Sequence, residues 1–188
     1  MKHTLALFVS LACAASCLAQ AQTAGSSPAT HPGPTKDPVA TSLRTLSQRS
    51  RNNTLGALGA MPADKFDYKP TSDQMTFAHL AVHIIGFNNS FCAKAADVPE
   101  PKVEEAKETD GKDKLVAEAT ASYDFCAEVL GKMDDSKLGD NIELFGGRQA
   151  PRAMAALILA SGWADHYSAA AQYLRLNGIL PPSAQPKK

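Results

Sequence analysis

Apolar residues recur three and four positions apart in four stretches of this chain, and no run alternates over the length of a strand. The clearest stretch is 112–133, where Leu115, Ala119, Ser122, Cys126, Val129 and Met133 mark one side of a helix. A second runs from Thr71-Ser-Asp-Gln74, a capping-box pattern that predicts a helix start, through an inner stripe of Leu80, Ile84, Phe87 and Phe91. His83 lies about 60° and His79 about 100° from the centre of that stripe, so His83 is expected inward and His79 at the boundary. Residues 41–58 carry Leu43, Leu46, Leu55 and Leu58, with the polar run Arg49–Asn53 interrupting the pattern.

The longest stretch, Met154 to Gly178, predicts one helix. Its expected inner stripe is Met154, Ile158, Ala169, Tyr173 and Leu176, with Leu157 at the edge. On this phase Asp165 points along the middle of the stripe and His166 lies at its shoulder. Trp163 projects about 140° away from the centre. Ionisable groups in such a place need a hydrogen bond, a metal or a cleft. Gly178 is a natural helix stop, and Pro181 and Pro182 prevent resumption.

The connections differ in kind. Met61–Pro70 reads as a loop broken by Pro62 and Pro70. Asp97–Gly111 is charged, contains Pro99 and Pro101, and is long for a hairpin between helices but long enough to cross a bundle. Asp134–Ile142 reads as a polar loop and Leu144-Phe-Gly-Gly-Arg148 as a turn with buried anchors. Pro151 suits the first turn of the last helix. The fold class is therefore all-α.

Several of these segments resemble the DinB-like four-helix-bundle family, especially its exported bacterial members. The resemblance rests on His166-Tyr167-x5-Tyr173-Leu-Arg-x-Asn-Gly-Ile-x-Pro-Pro182, Leu144-Phe-Gly-Gly147, Phe77-x-x-Leu-x-x-His83 and Met61-Pro-Ala-Asp-Lys-Phe-Asp-Tyr-Lys-Pro70, and spans residues 45–184. It implies a four-helix bundle with a long crossover between the second and third helices. It also implies a metal held by one histidine of the second helix and two of the fourth, one turn apart. His83 matches the first and His166 the last, but the remaining position is Gly162.

Two histidines are too few for a tight site. His79 could supply a third nitrogen, or Asp165 could bind through oxygen or orient His166. Zinc or nickel would suit such a donor set. The competing expectation is a decayed site without metal, in which Gly162 leaves a gap beside His83, His166 and Asp165 that admits a small-molecule ligand. Tyr173 would border that pocket as a core aromatic with a satisfied hydroxyl. Functionally, this gives a bundle with a remnant or variant histidine metal site. The alternative is a metal-dependent thiol transferase or hydrolase using His83 and His166 with His79 or Asp165. No catalytic residue is assigned, and a homodimer is a candidate assembly.

Composition narrows the partners and the compartment. The 188 residues carry 19 basic and 19 acidic side chains, for a formal net charge of zero. With no basic stripe, nucleic acid is not expected as a partner. Lys2 and His3 precede an apolar run from Leu5 to Ala15, too short to span a bilayer and suited to a signal peptide over residues 1–21, cleaved after Ala19 or Ala21. Cys13 and Cys17 offer weak lipid-attachment alternatives, so a membrane partner is expected only if the chain is lipidated. Residues 22–40, rich in Ala, Thr, Ser, Gly and Pro, read as a flexible tether. The bundle spans 41–184 and a disordered tail 185–188.

An exported chain, periplasmic or extracellular, would retain only Cys92 and Cys126 in an oxidising compartment. A disulfide between them is geometrically barred in a plain up-and-down bundle but allowed if the second and third helices run parallel. Two separate, inert thiols are the other reading.

Overall fold

A computed structural model describes residues 33–186. The leader expected over 1–21 and most of the tether lie outside that range, as do the last two residues. Four helices make up the fold: α1 (Pro38–Ala60), α2 (Phe77–Ala96), α3 (Lys112–Lys132) and α4 (Arg152–Leu176). Helix α1 begins at Pro38, and Ala40 is fully buried, so the last residues assigned to the tether belong to the bundle.

Helix α2 starts at Phe77, later than the Thr71–Gln74 pattern predicts. Thr71 closes only its own turn, its carbonyl accepting from Gln74 N–H at 3.3 Å. Thr76 is the cap instead, its hydroxyl accepting from the His79 amide at 2.9 Å. The first amides of α2, on Phe77 and Ala78, donate to the carbonyls of Tyr68 and Phe66. The 61–76 connection therefore satisfies the helix start from outside.

A short antiparallel hairpin, β1 (Asn141–Glu143) and β2 (Gln149–Pro151), stands where a polar loop and turn were expected. Three-residue strands are too short to leave an alternating signature in the sequence. Of the turn's expected anchors, Leu144 is half-buried against the core, whereas Phe145 is 61% exposed.

The helices are clamped end to end. Asp135, after α3, accepts from the amides of Val39 and Ala40 at 2.9 and 2.8 Å, placing a carboxylate at the positive end of α1. Arg44 of α1 returns the contact, donating to the carbonyls of Leu130 and Met133 at the end of α3. At the other end Lys112 donates to Gly59 O at 2.7 Å. Helices α1 and α3 are thus antiparallel. Arg152 joins the start of α4 to the end of α2 through Lys94 O and the Asp97 carboxylate.

Helices α2 and α3 run parallel. Asn88 meets Ser122 at 3.1 Å, and one turn later Cys92 is bonded to Cys126, with Cα atoms 5.2 Å apart. The 97–111 segment crosses the bundle to make this possible. The stripe expected for α3 is the buried one: Leu115, Ala119, Ser122, Cys126 and Val129 all face inward. In α1 the interrupted pattern has a plain origin, because Ser47, Ser50 and Thr54 are buried while Leu46 is 39% exposed. Gly178, at φ 72°, ends α4, and the amides of Gly178 and Ile179 close back on Arg175 O and Leu174 O.

The bridge closes a loop of 34 residues, which the chain-entropy estimate values at about 3–4 kcal/mol. The double variant Cys92→Ala/Cys126→Ala is expected to lose stability of that order in urea unfolding. Oxidised protein lacking residues 1–21, whose remaining cysteines are Cys92 and Cys126, should take up no alkylating agent until it is reduced and denatured.

Candidate functional site

The candidate site lies between the antiparallel helices α2 and α4, and the rotational phase of α4 decides its character. The buried face of α4 is Arg152, Ala155, Ala156, Leu159, Trp163, His166, Ala170, Ala171, Tyr173 and Leu174. The expected stripe was therefore rotated. Met154, Leu157 and Leu176 are 44%, 64% and 60% exposed, Asp165 points outward, and Trp163 is only 2% exposed. Alanines form much of the packing face, and small side chains let helices approach closely. Of the residues that suggested the stripe, Tyr173 is buried as expected, whereas Met154 and Leu176 lie outside the packing face. The indole N–H of Trp163 donates to Asn88 Oδ1 at 2.9 Å in the core, which fixes this phase.

With α4 so turned, His166 is buried (8% exposed) and its ring meets His83 edge-on, centroids 4.8 Å apart. His83 is exposed rather than inward, at the mouth of the groove. Nδ1 of His166 is buried without a hydrogen-bond partner. Burial pushes the His166 pKa down to about 4; the adjacent His83 adds to this and Asp165 partly offsets it. His166 is thus a neutral imidazole at pH 7.

His79, also exposed, does not join the pair. Its Nδ1 is 2.7 Å from Glu108 Oε1, and Thr76 donates to the other oxygen of the same carboxylate. The crossover segment holds this ring away from the other two.

The gap expected at Gly162 is filled. A Cβ placed on Gly162 would run into the ring of Phe87. That ring lies edge-on to His166 with centroids 4.6 Å apart and stacks on Phe91 at 4.8 Å, and Phe91 in turn touches Phe145 at 5.3 Å. Phe87 looked like one more stripe residue in the sequence. The available signal was a large aromatic one turn after His83 facing a glycine one turn before His166.

The open space lies on the other side of the histidines. A cleft of about 420 Å³ is bounded by His83, His166, Asp165, Asp73, Leu80, Met75, Ala169 and Tyr173, with Gln74 and Gln172 completing it. Tyr173 borders it as expected but is held, its hydroxyl donating to Met75 O at 2.6 Å. Burial raises its pKa, with a smaller push from Tyr68. Cys92 and Cys126 are buried in their bridge and offer no nucleophile.

A sequence profile described as the DinB superfamily matches residues 47–167. The chain belongs to the DinB superfamily. Crystal structures of two DinB-like proteins share its fold. One, from Bacillus subtilis, has 17% identity and a TM-score of 0.60, covering 77% of this chain and 99% of its own. The other, from Bacillus cereus, has 14% identity and a TM-score of 0.63, covering 76% of this chain and 95% of its own. No curated protein matches the sequence.

The residues of this DinB bundle do not fit the three-histidine metal centre that the family resemblance implies. His83 and His166 are adjacent, but His79 is bound to Glu108 and Phe87 occupies the third donor's place. Among the described residues no group of three or more His, Cys, Asp or Glu side chains is placed to hold a metal ion.

His166 also links the site to stability. Its folded-state pKa of about 4 lies below the ordinary 6.5, so the unfolded chain binds the extra proton first as pH falls. The neutral ring's contribution is full above pH 6.5 and is lost between pH 6.5 and 4, on the order of 2 kcal/mol. Melting temperature should fall across that window in the wild type. In His166→Gln the fall should be flatter, as differential scanning calorimetry would show.

Proposed function

We propose that this chain is an exported DinB-superfamily bundle that binds a small molecule in a metal-free cleft between α2 and α4. His83 and His166 serve there as hydrogen-bonding groups rather than as ligands to zinc or nickel. The observation that carries this reading is the Phe87 ring packed against Gly162, in the space a third donor would need. The remaining pair has one buried imidazole and one exposed one, and a cleft of small-molecule size opens beside them. The alternative, a metal-dependent thiol transferase or hydrolase, needs a third donor, and the position of Phe87 weighs against it.

Export is supported by the buried Cys92–Cys126 bridge, since such bonds persist in oxidising compartments. Among the described residues no helix is long and apolar enough to cross a membrane.

Metal analysis of the protein, followed by zinc titration of variants, tests the reading. Wild-type protein should carry no stoichiometric metal. Gly162→His alone should gain little, because the new ring collides with Phe87. Phe87→Ala/Gly162→His should bind zinc at least about tenfold more tightly than either single variant, having both the third donor and room for it. Stoichiometric zinc or nickel in the wild type, lost on His83→Ala and His166→Ala, would overturn the proposal.

A further inference from the structure

We infer that the α2–α4 cleft selects a small organic cation, an amine carrying an apolar arm, over the acid of the same skeleton. This deepens the ligand-binding reading above and rests on it.

Charge is the first observation. Two carboxylates, Asp73 and Asp165, bound the cleft, and no lysine or arginine lines it. Both carboxylates are exposed, and neither enters an ion pair among the described residues. A ligand carboxylate would meet two like charges with no lysine or arginine beside it, whereas an ammonium would meet two opposite ones.

The second observation is independent of those carboxylates. His166, 8% exposed, lines the cleft; its Nδ1 is buried without a partner, and neither ring nitrogen makes a hydrogen bond among the described residues. An unpaired buried polar atom carries its full desolvation penalty. The ring can offer a lone pair to a donor, and a half-turn about its Cβ–Cγ bond changes which edge a ring nitrogen occupies. An ammonium group is donor-only and has three N–H bonds. It can donate to the imidazole while lying in the field of the Asp73 and Asp165 carboxylates that bound the same cleft.

The third observation sets the rest of the ligand. Beyond the polar groups the wall is Met75, Leu80 and Ala169, with the Tyr173 hydroxyl already committed to Met75 O. An apolar arm fits that wall, and a second polar head would find little to bind there.

Isothermal titration of the purified full chain, after chelator treatment, with 3-phenylpropylamine, 3-phenylpropan-1-ol and 3-phenylpropanoate isolates the charge on one skeleton. The amine should bind at least about tenfold more tightly than the alcohol, and the propanoate should bind least. Asp165→Asn and Asp73→Asn replace exposed groups, so both variants should melt as the wild type does and reduce the amine's advantage. Propanoate binding as tight as the amine's, an undiminished amine preference in both variants, or no binding by any of the three would overturn the cation assignment. Those outcomes leave the metal-free reading standing, since that reading fails on metal content instead.

Discussion

The carboxamide of Asn88 sits fully buried where three helices meet, and it can be satisfied there in one arrangement. Its oxygen accepts from Trp163 of α4 and its nitrogen donates to Ser122 of α3. Across the same layer Tyr123 of α3 pairs with Ser50 of α1 at 2.8 Å. Leaving one of these buried groups unpaired costs about 1–3 kcal/mol, so a slipped register or rotated helix is penalised even where apolar contacts would tolerate it. Apolar burial supplies most of the driving force for the bundle. This polar layer determines which face of α4 turns inward, and therefore that His166 is buried while Asp165 is not.

The parallel pairing of α2 with α3 follows from the same layer and has its own consequence for the site. Asn88–Ser122 and Cys92–Cys126 are successive rungs on one seam. Parallel neighbours require a connection that travels the length of the bundle, which is why the 97–111 segment is long. That segment delivers Glu108 to the start of α2, where it binds both the capping Thr76 and His79. The crossover thus takes away the one nearby histidine that could have completed a donor set.

The parts of this architecture that were legible in the sequence are those where one physical signal dominated. The α3 stripe is pure three-four spacing and is the buried face. The Gly178 stop follows from backbone sterics, and the length of 97–111 anticipated the crossover. The phase of α4 was not legible, because large apolar residues lie on both sides of the helix: Leu159, Trp163 and Leu174 are buried, whereas Met154, Leu157 and Leu176 face solvent. A polar bond between Trp163 and Asn88, distant in sequence, overrode the apolar count. The start of α2 was misplaced for a related reason: a capping pattern at Thr71 competed with tertiary amide partners at Phe66 and Tyr68 that no local window contains. The site was legible as a pair, His83 and His166, and the missing donor at Gly162 was visible too. What fills that place was not, because Phe87 has the spacing of an ordinary core residue.

The exchange of a donor for a ring alters more than ligand count. A histidine at position 162 would offer a nitrogen to the space between the helices. With glycine there, α4 presents bare backbone and Phe87 packs onto it, an exchange of volume between two facing positions. The ring then continues a ladder of aromatic contacts from Phe145 through Phe91 and Phe87 to His166 and His83. One side of His166 is thereby made apolar and dry, which contributes to its lowered pKa and leaves the opposite side as its approach to solvent and ligand. Reverting the glycine alone would collide with the ring, and removing the ring alone would strip His166 of its apolar cover. Each residue holds the other in place, so the two-histidine arrangement is a self-consistent packing.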